Sequence, residues 1–151
     1  MGTRSIVAVP TGETSWKGRY VHWDGYPSGV GASLVELIAR DGVEATVKTL
    51  TEDHWGWSIV DHEQPADIPD YLKSDGRFSS VPGVGVPYKK DVDGGDQSND
   101  WITDVQAGNG ESWCEWAYVL MPDGKVKVYE LGNKKLTLRS SDLANEPVQE
   151  D

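Results

Sequence analysis

The sequence is poor in the residues from which most cores and many catalytic sites are built. Its 151 residues include one cysteine, one phenylalanine and two methionines. Cys114 therefore cannot close an internal disulfide or supply a multi-cysteine zinc site, which fits a reducing compartment. Bases are also scarce: 14 Lys and Arg face 25 Asp and Glu, a net charge of −11, which argues against a basic grip on nucleic acid. No apolar run approaches the length of a spanning helix, about 20 residues. The N-terminus lacks the basic start and apolar run of a secretory leader, so the expectation is a soluble, intracellular protein. Leu, Ile, Val and Phe fill only 32 positions, close to the level at which charged chains stay disordered.

Seven Trp and six Tyr offset that shortage, because each large ring can bury about 150–250 Å². The length suits one domain and the acidic charge is spread over both halves, so residues 1–151 read as a single domain. Arg4 to Val9 and Lys17 to Trp23 read as an antiparallel hairpin. The period of two puts Tyr20 and His22 on one strand face and Arg19, Val21 and Trp23 on the other. Asp24 to Gly31 holds three glycines and a proline and reads as an irregular, shaped loop. Ser33 to Glu36 has the form of a capping box for a short helix reaching about Arg40. Asp41 to Glu44 repeats the pattern, with Val43, Val47 and Leu50 as the stripe of a second helix.

Trp55 to Val60 alternates as a third strand, with Trp55, Trp57 and Ile59 on one side. Residues 61–112 show little periodicity beyond a turn of helix at Asp67 to Lys73. They read as a long irregular excursion anchored near Trp101 and Ile102. Trp113 to Met121, the turn Pro122-Asp123-Gly124 and Lys125 to Leu131 form the clearest hairpin. Lys135 to Arg139 adds a further strand, and 141–151 reads as a frayed acidic tail. The expected class is α+β, a mostly antiparallel sheet built from hairpins with two short helices on one face.

Four groups of residues could carry chemistry. The Gly-rich turn before the Ser33 helix can aim backbone N–H groups at an anion, although its spacing matches neither the phosphate-loop nor the dinucleotide pattern. No cofactor is expected. His22 and Asp24 could form an acid–base pair only if strand geometry continues through Asp24; otherwise Asp24 is a turn residue. Cys114 shares a face with Trp116 and Tyr118 and reads as an inert, buried thiol. Asp91 to Asp96, with Asn99 and Asp100, departs from calcium-loop spacing and lacks the closing Glu. It reads as a solvated loop, and no metal is expected.

The segments Gly2-Thr3-Arg4-Ser5, His22-Trp23-Asp24-Gly25-Tyr26-Pro27 with Gly31, and Cys114-Glu115-Trp116-Ala117-Tyr118-Val119 together resemble a family of small bacteriophage-encoded proteins. Its members share a GTRS-like start, a W-D-G-Y loop and a C-E-aromatic hairpin. The resemblance spans about the first 60 residues and the hairpin at 113–131. It implies a phage accessory protein in the cytoplasm of an infected host, and it brings no catalytic residue with it. In that setting the expected function is non-enzymatic: binding a small anionic ligand, most simply sequestering a nucleotide messenger of host immunity. Arg4 and Arg19 would contact phosphate, Trp23 and Tyr26 would stack, and Asp24, Gly25, Ser28, Gly29 and Gly31 would shape the site. Two alternatives stand beside it: a phosphodiesterase or hydrolase using His22 and Asp24, and an acidic inhibitor that blocks a host protein. Neither nucleic acid nor membrane is an expected partner, and an open hairpin edge leaves a homo-oligomer open.

Overall fold

The computed structural model describes residues 3–13, 15–54, 56–67, 80–87, 101–108, 114–132 and 135–140. The first half comprises β1 (Ser5–Pro10), β2 (Trp16–Val21), a π-helical turn (Pro27–Gly31), α1 (Ala32–Asp41), α2 (Val43–Val47), a second π-helical turn (Lys48–Glu52) and β3 (Gly56–Val60). Then come β4 (Gly85–Pro87), β5 (Ile102–Thr103), α3 (Asp104–Gly108), β6 (Trp116–Leu120), β7 (Val126–Gly132) and β8 (Lys135–Ser140). All eight strands join one sheet in the order β4-β3-β2-β1-β6-β7-β8, with β5 also beside β2. The pairings are antiparallel except β1 with β6 and β2 with β3, which are parallel. The class is α+β, as expected.

The central strands explain the aliphatic usage. In β1, Ile6, Val7 and Ala8 are fully buried, a continuous apolar run of the kind found where both faces of a sheet are covered. Alternation then sorts side chains between two cores. Val7, Val21, Trp57, Tyr118, Leu120, Val126 and Val128 meet Leu34, Leu37 and Leu50 from the helical crossover. Ile6, Ala8, Trp16, Ala117 and Val119 meet Ala107 of α3 and Cys114 on the opposite face. Each buried leucine of the crossover is worth about 1.5–3 kcal/mol of transfer free energy. Gly18 lets β2 approach β1: a Cβ there would lie 2.5 Å from Ile6 Cγ2 and from the Val7 carbonyl oxygen.

Several expectations need correction. The loop read across 24–31 is irregular only to Tyr26, because Pro27 opens a π-helical turn that runs into α1; a proline is pre-organised for a first helical position. Ser33 is not a cap but lies inside α1, and the second helix is preceded by Gly42 (φ 88°) at its N-cap position, with no side-chain cap bond. That helix also gives way to the π-helical turn after Val47. Thr46 and Thr51 donate their hydroxyls to the carbonyls of Gly42 and Val47, a local competition that bends helices. A bulge between Trp57 and Ile59 splits the β3 face, so Trp57 joins the helix-side core while Ile59 packs with Val86 and Trp23. The excursion at 61–112 contains β4, β5 and α3, with β5 anchoring it to β2 as expected. The helical turn expected at 67–73, the acidic run at 91–96, Asn99 with Asp100, and the tail at 141–151 lie outside the described residues, Asp67 excepted.

Candidate functional site

Because β2 and β3 run parallel, their carboxyl ends share one edge of the sheet with the amino ends of β1 and β6. Ligands in sheets with parallel crossovers gather at such carboxyl edges. Past β2 the chain still follows β3: His22 and Trp23 donate backbone N–H bonds to the carbonyls of Trp57 and Ser58 at 3.0 and 2.8 Å. Asp24 then turns the chain with φ 56°, the one positive φ outside glycine among the described residues. Asp is one of the residues that tolerate this region. The turn swings Gly25 over β1 and β6, where its N–H donates to the Thr3 carbonyl and its own carbonyl accepts the Tyr118 hydroxyl at 2.6 Å.

Glycine is needed at two points of this loop for close approach. A Cβ on Gly25 would lie 2.6 Å from Ser5 Oγ and the Thr3 carbonyl, and one on Gly29 would overlap the Asp24 carbonyl. Gly29 and Val30 donate their N–H groups to the carbonyls of Tyr26 and Asp24. Two N–H groups of the expected anion cradle are thus spent inside the loop.

Arg4 and residues 23–31 of the expected set fall along this edge. Arg4 is exposed, beside the Thr3 carbonyl that holds Gly25. Trp23, Asp24 and Tyr26 are half-buried, Ser28 is exposed, and Gly31 is buried at the start of α1. Arg19 is not part of this cluster. Its guanidinium is buried, donates from Nε to the Thr51 carbonyl at 2.9 Å and stacks 3.4 Å from the centre of the Trp101 ring, with Lys17 Nζ 4.3 Å from the same centre. Thr51 lies at the far end of the helical crossover from Gly25, so Arg19 braces that end of the fold. The His22 and Asp24 pair lacks its premise, since β2 ends before Asp24 and His22 Nδ1 is bonded to the Tyr20 hydroxyl at 2.7 Å. Cys114 is buried, with its thiol donating toward the Ser5 carbonyl at 3.6 Å.

Sequence reasoning missed a second pair on this edge. Ser33 Oγ lies 3.0 Å from Nδ1 of His62, just past β3, and accepts the His62 backbone N–H at 3.2 Å. Arg40 Nη1 reaches the carbonyls of His62 and Gly83 at 3.4 and 3.0 Å, which ties this segment to the end of α1. Among the described residues, no group of three His, Cys, Asp or Glu side chains is placed to hold a metal ion. A water-sized cavity of about 10 Å³ lies on the other edge, lined by Trp16, Tyr129, Met121 and Lys127 among others. Trp16 Nε1 is buried there without a hydrogen-bond partner among the described residues. No protein-family model, curated protein or solved structure matches this chain.

Proposed function

We propose that the protein binds a small anionic ligand of the nucleotide class, without turning it over, on the edge formed by residues 22–33 and Arg4. The observation that carries this reading is the pinned loop. Gly25 is fastened to Thr3 and Tyr118 in a loop whose Trp23 and Tyr26 are half-buried and whose Ser28 is exposed, and Arg4, next to Thr3 in the chain, is exposed. Aromatic rings offer stacking for a base, and a guanidinium offers a charge-assisted bond for a phosphate. The resemblance to phage proteins supports the finer version, sequestration of a host nucleotide messenger in the host cytoplasm. No helix among the described residues is long and apolar enough to cross a membrane.

The test is a thermal-shift screen against linear and cyclic nucleotides, with each hit recovered by chromatography after incubation. A stabilising nucleotide returned unchanged is the expected result. A stabilising nucleotide returned as product would instead establish an enzyme, and no shift with any nucleotide would sink the reading.

One observation favours the acidic-inhibitor alternative. Along the helical crossover, Glu36, Glu44 and Glu52 are exposed, while Arg40 and Lys48 are consumed by ion pairs with Asp41 and Asp53. That leaves an acidic outer face for a basic protein surface, and retention of a host protein lost on reversing these three charges would support it.

A further inference from the structure

We infer that His62 is a ligand-contacting group of this edge and that anion binding there takes up a proton. This rests on the binding reading above. Ser33 is buried and its hydroxyl oxygen already accepts the backbone N–H of His62, so its single proton is free to bond Nδ1 at 3.0 Å. An Nδ1 that accepts leaves the ring proton of the neutral imidazole on Nε2. The ring is half-buried, and Nε2 bonds none of the described residues. Arg40 holds the His62 carbonyl, so the backbone under the ring is fixed on both sides.

The surrounding charge makes the protonation state matter. Asp61 and Glu63 flank His62 in the chain, and the Glu63 N–H bonds the Asp61 carboxylate. Arg40, whose guanidinium reaches the His62 carbonyl, is paired with Asp41. An anion arriving here meets carboxylates unless the imidazole carries charge. In the protonated ring Nδ1–H donates to Ser33 Oγ, whose own proton rotates away, and Nε2–H becomes a charged donor toward the anion. A ligand that favours the protonated form must bind more tightly as pH falls.

The probe is cyclic AMP, whose phosphodiester keeps one charge across the range, with sulfate as a second probe free of stacking. Calorimetric titrations of the whole chain from pH 8.0 to 5.5 should show affinity for cyclic AMP rising about tenfold. The rise should vanish in His62→Gln and persist in His54→Gln. Binding that is flat with pH, or a rise that survives His62→Gln, overturns the inference and leaves the binding reading standing. No binding of either probe at any pH overturns the inference, and the binding reading then falls only if the screen of linear and cyclic nucleotides also gives no shift. Should His62→Gln fail to fold, the ring CH resonances of His62 in the unaltered protein decide: near neutral pH, cyclic AMP should shift them toward the imidazolium position, and unmoved resonances overturn the inference.

Discussion

Gly25 is the residue on which the candidate site turns, because three chain segments meet at its backbone. Replacing it with alanine sets a methyl 2.6 Å from Ser5 Cβ, Ser5 Oγ and the Thr3 carbonyl, and the carbonyl cannot swing aside without breaking the bond that holds the loop. Overpacking of this kind costs about 1–3 kcal/mol. Tyr118→Phe removes the buried hydroxyl that the Gly25 carbonyl accepts and leaves that carbonyl unsatisfied, at about 1–2 kcal/mol. Both changes loosen the same pin, so their effects on a urea midpoint should sum to more than the double variant loses; strict additivity would show that the two contacts act independently. Arg40 and Asp41 behave differently. Their hydrogen-bonded pairing holds the Asp41 carboxyl below its ordinary value, so its contribution is present above the unfolded-state value and is lost as pH falls through the folded one. Both side chains are well exposed, so screening keeps the effect small. Asp41→Asn should change stability slightly near neutrality and flatten the acid limb of the pH profile below about pH 4; an unchanged acid limb would remove the pair from the account.

At the scale of elements, α1 links the core to the site, since its inner face seats it on the sheet and its first turn carries Ser33. Leu34 and Leu37 are buried in the helix-side core while Glu36 is exposed. Leu34→Ala should therefore cost about 2–5 kcal/mol, and Glu36→Ala should stay within about 0.5 kcal/mol, in denaturant titrations of each variant. Equal losses would mean that α1 is not seated as described. The β1–β2 and β6–β7 hairpins were legible in the sequence, because periodicity and tight turns act over a few residues. The parallel pairing of β2 with β3 was not, since the register Tyr20 to Gly56 is set by packing across the whole crossover. The same limit hid Ser33: three residues ahead of Glu36 it has the pattern of a cap, but its hydroxyl is claimed by His62, 29 residues on. The glycines of the loop were read as anion-facing, and the physical demand on Gly25 and Gly29 is close backbone approach. Arg19 was grouped with Arg4 by residue type, and only tertiary contact with Thr51 and Trp101 separates them.

At the scale of the whole molecule, charge opposes compaction. The chain carries −11, and the described ion pairs, Arg40 with Asp41 and Lys48 with Asp53, are exposed contacts between near neighbours in the helical crossover. Added salt acts on both terms with opposite signs. It weakens exposed pairs, each worth about 0–1 kcal/mol at most, and it screens the mutual repulsion of the excess carboxylates, which destabilises any compact state of high net charge. The screening length falls from about 30 Å at 0.01 M to about 3 Å at 1 M, so repulsion summed over the surface is suppressed across that range while contacts at 2.7 Å lose far less. Repulsion should win. The melting temperature at pH 7 should rise as sodium chloride is raised from about 0.01 M to 0.5 M. Because lowering the pH toward 4.6, the isoelectric point computed from sequence, removes the same repulsion, the rise should be smaller at about pH 5. A melting temperature that falls with salt, or a salt effect equal at both pH values, would show that local ion pairs and not net charge dominate the electrostatics of the fold.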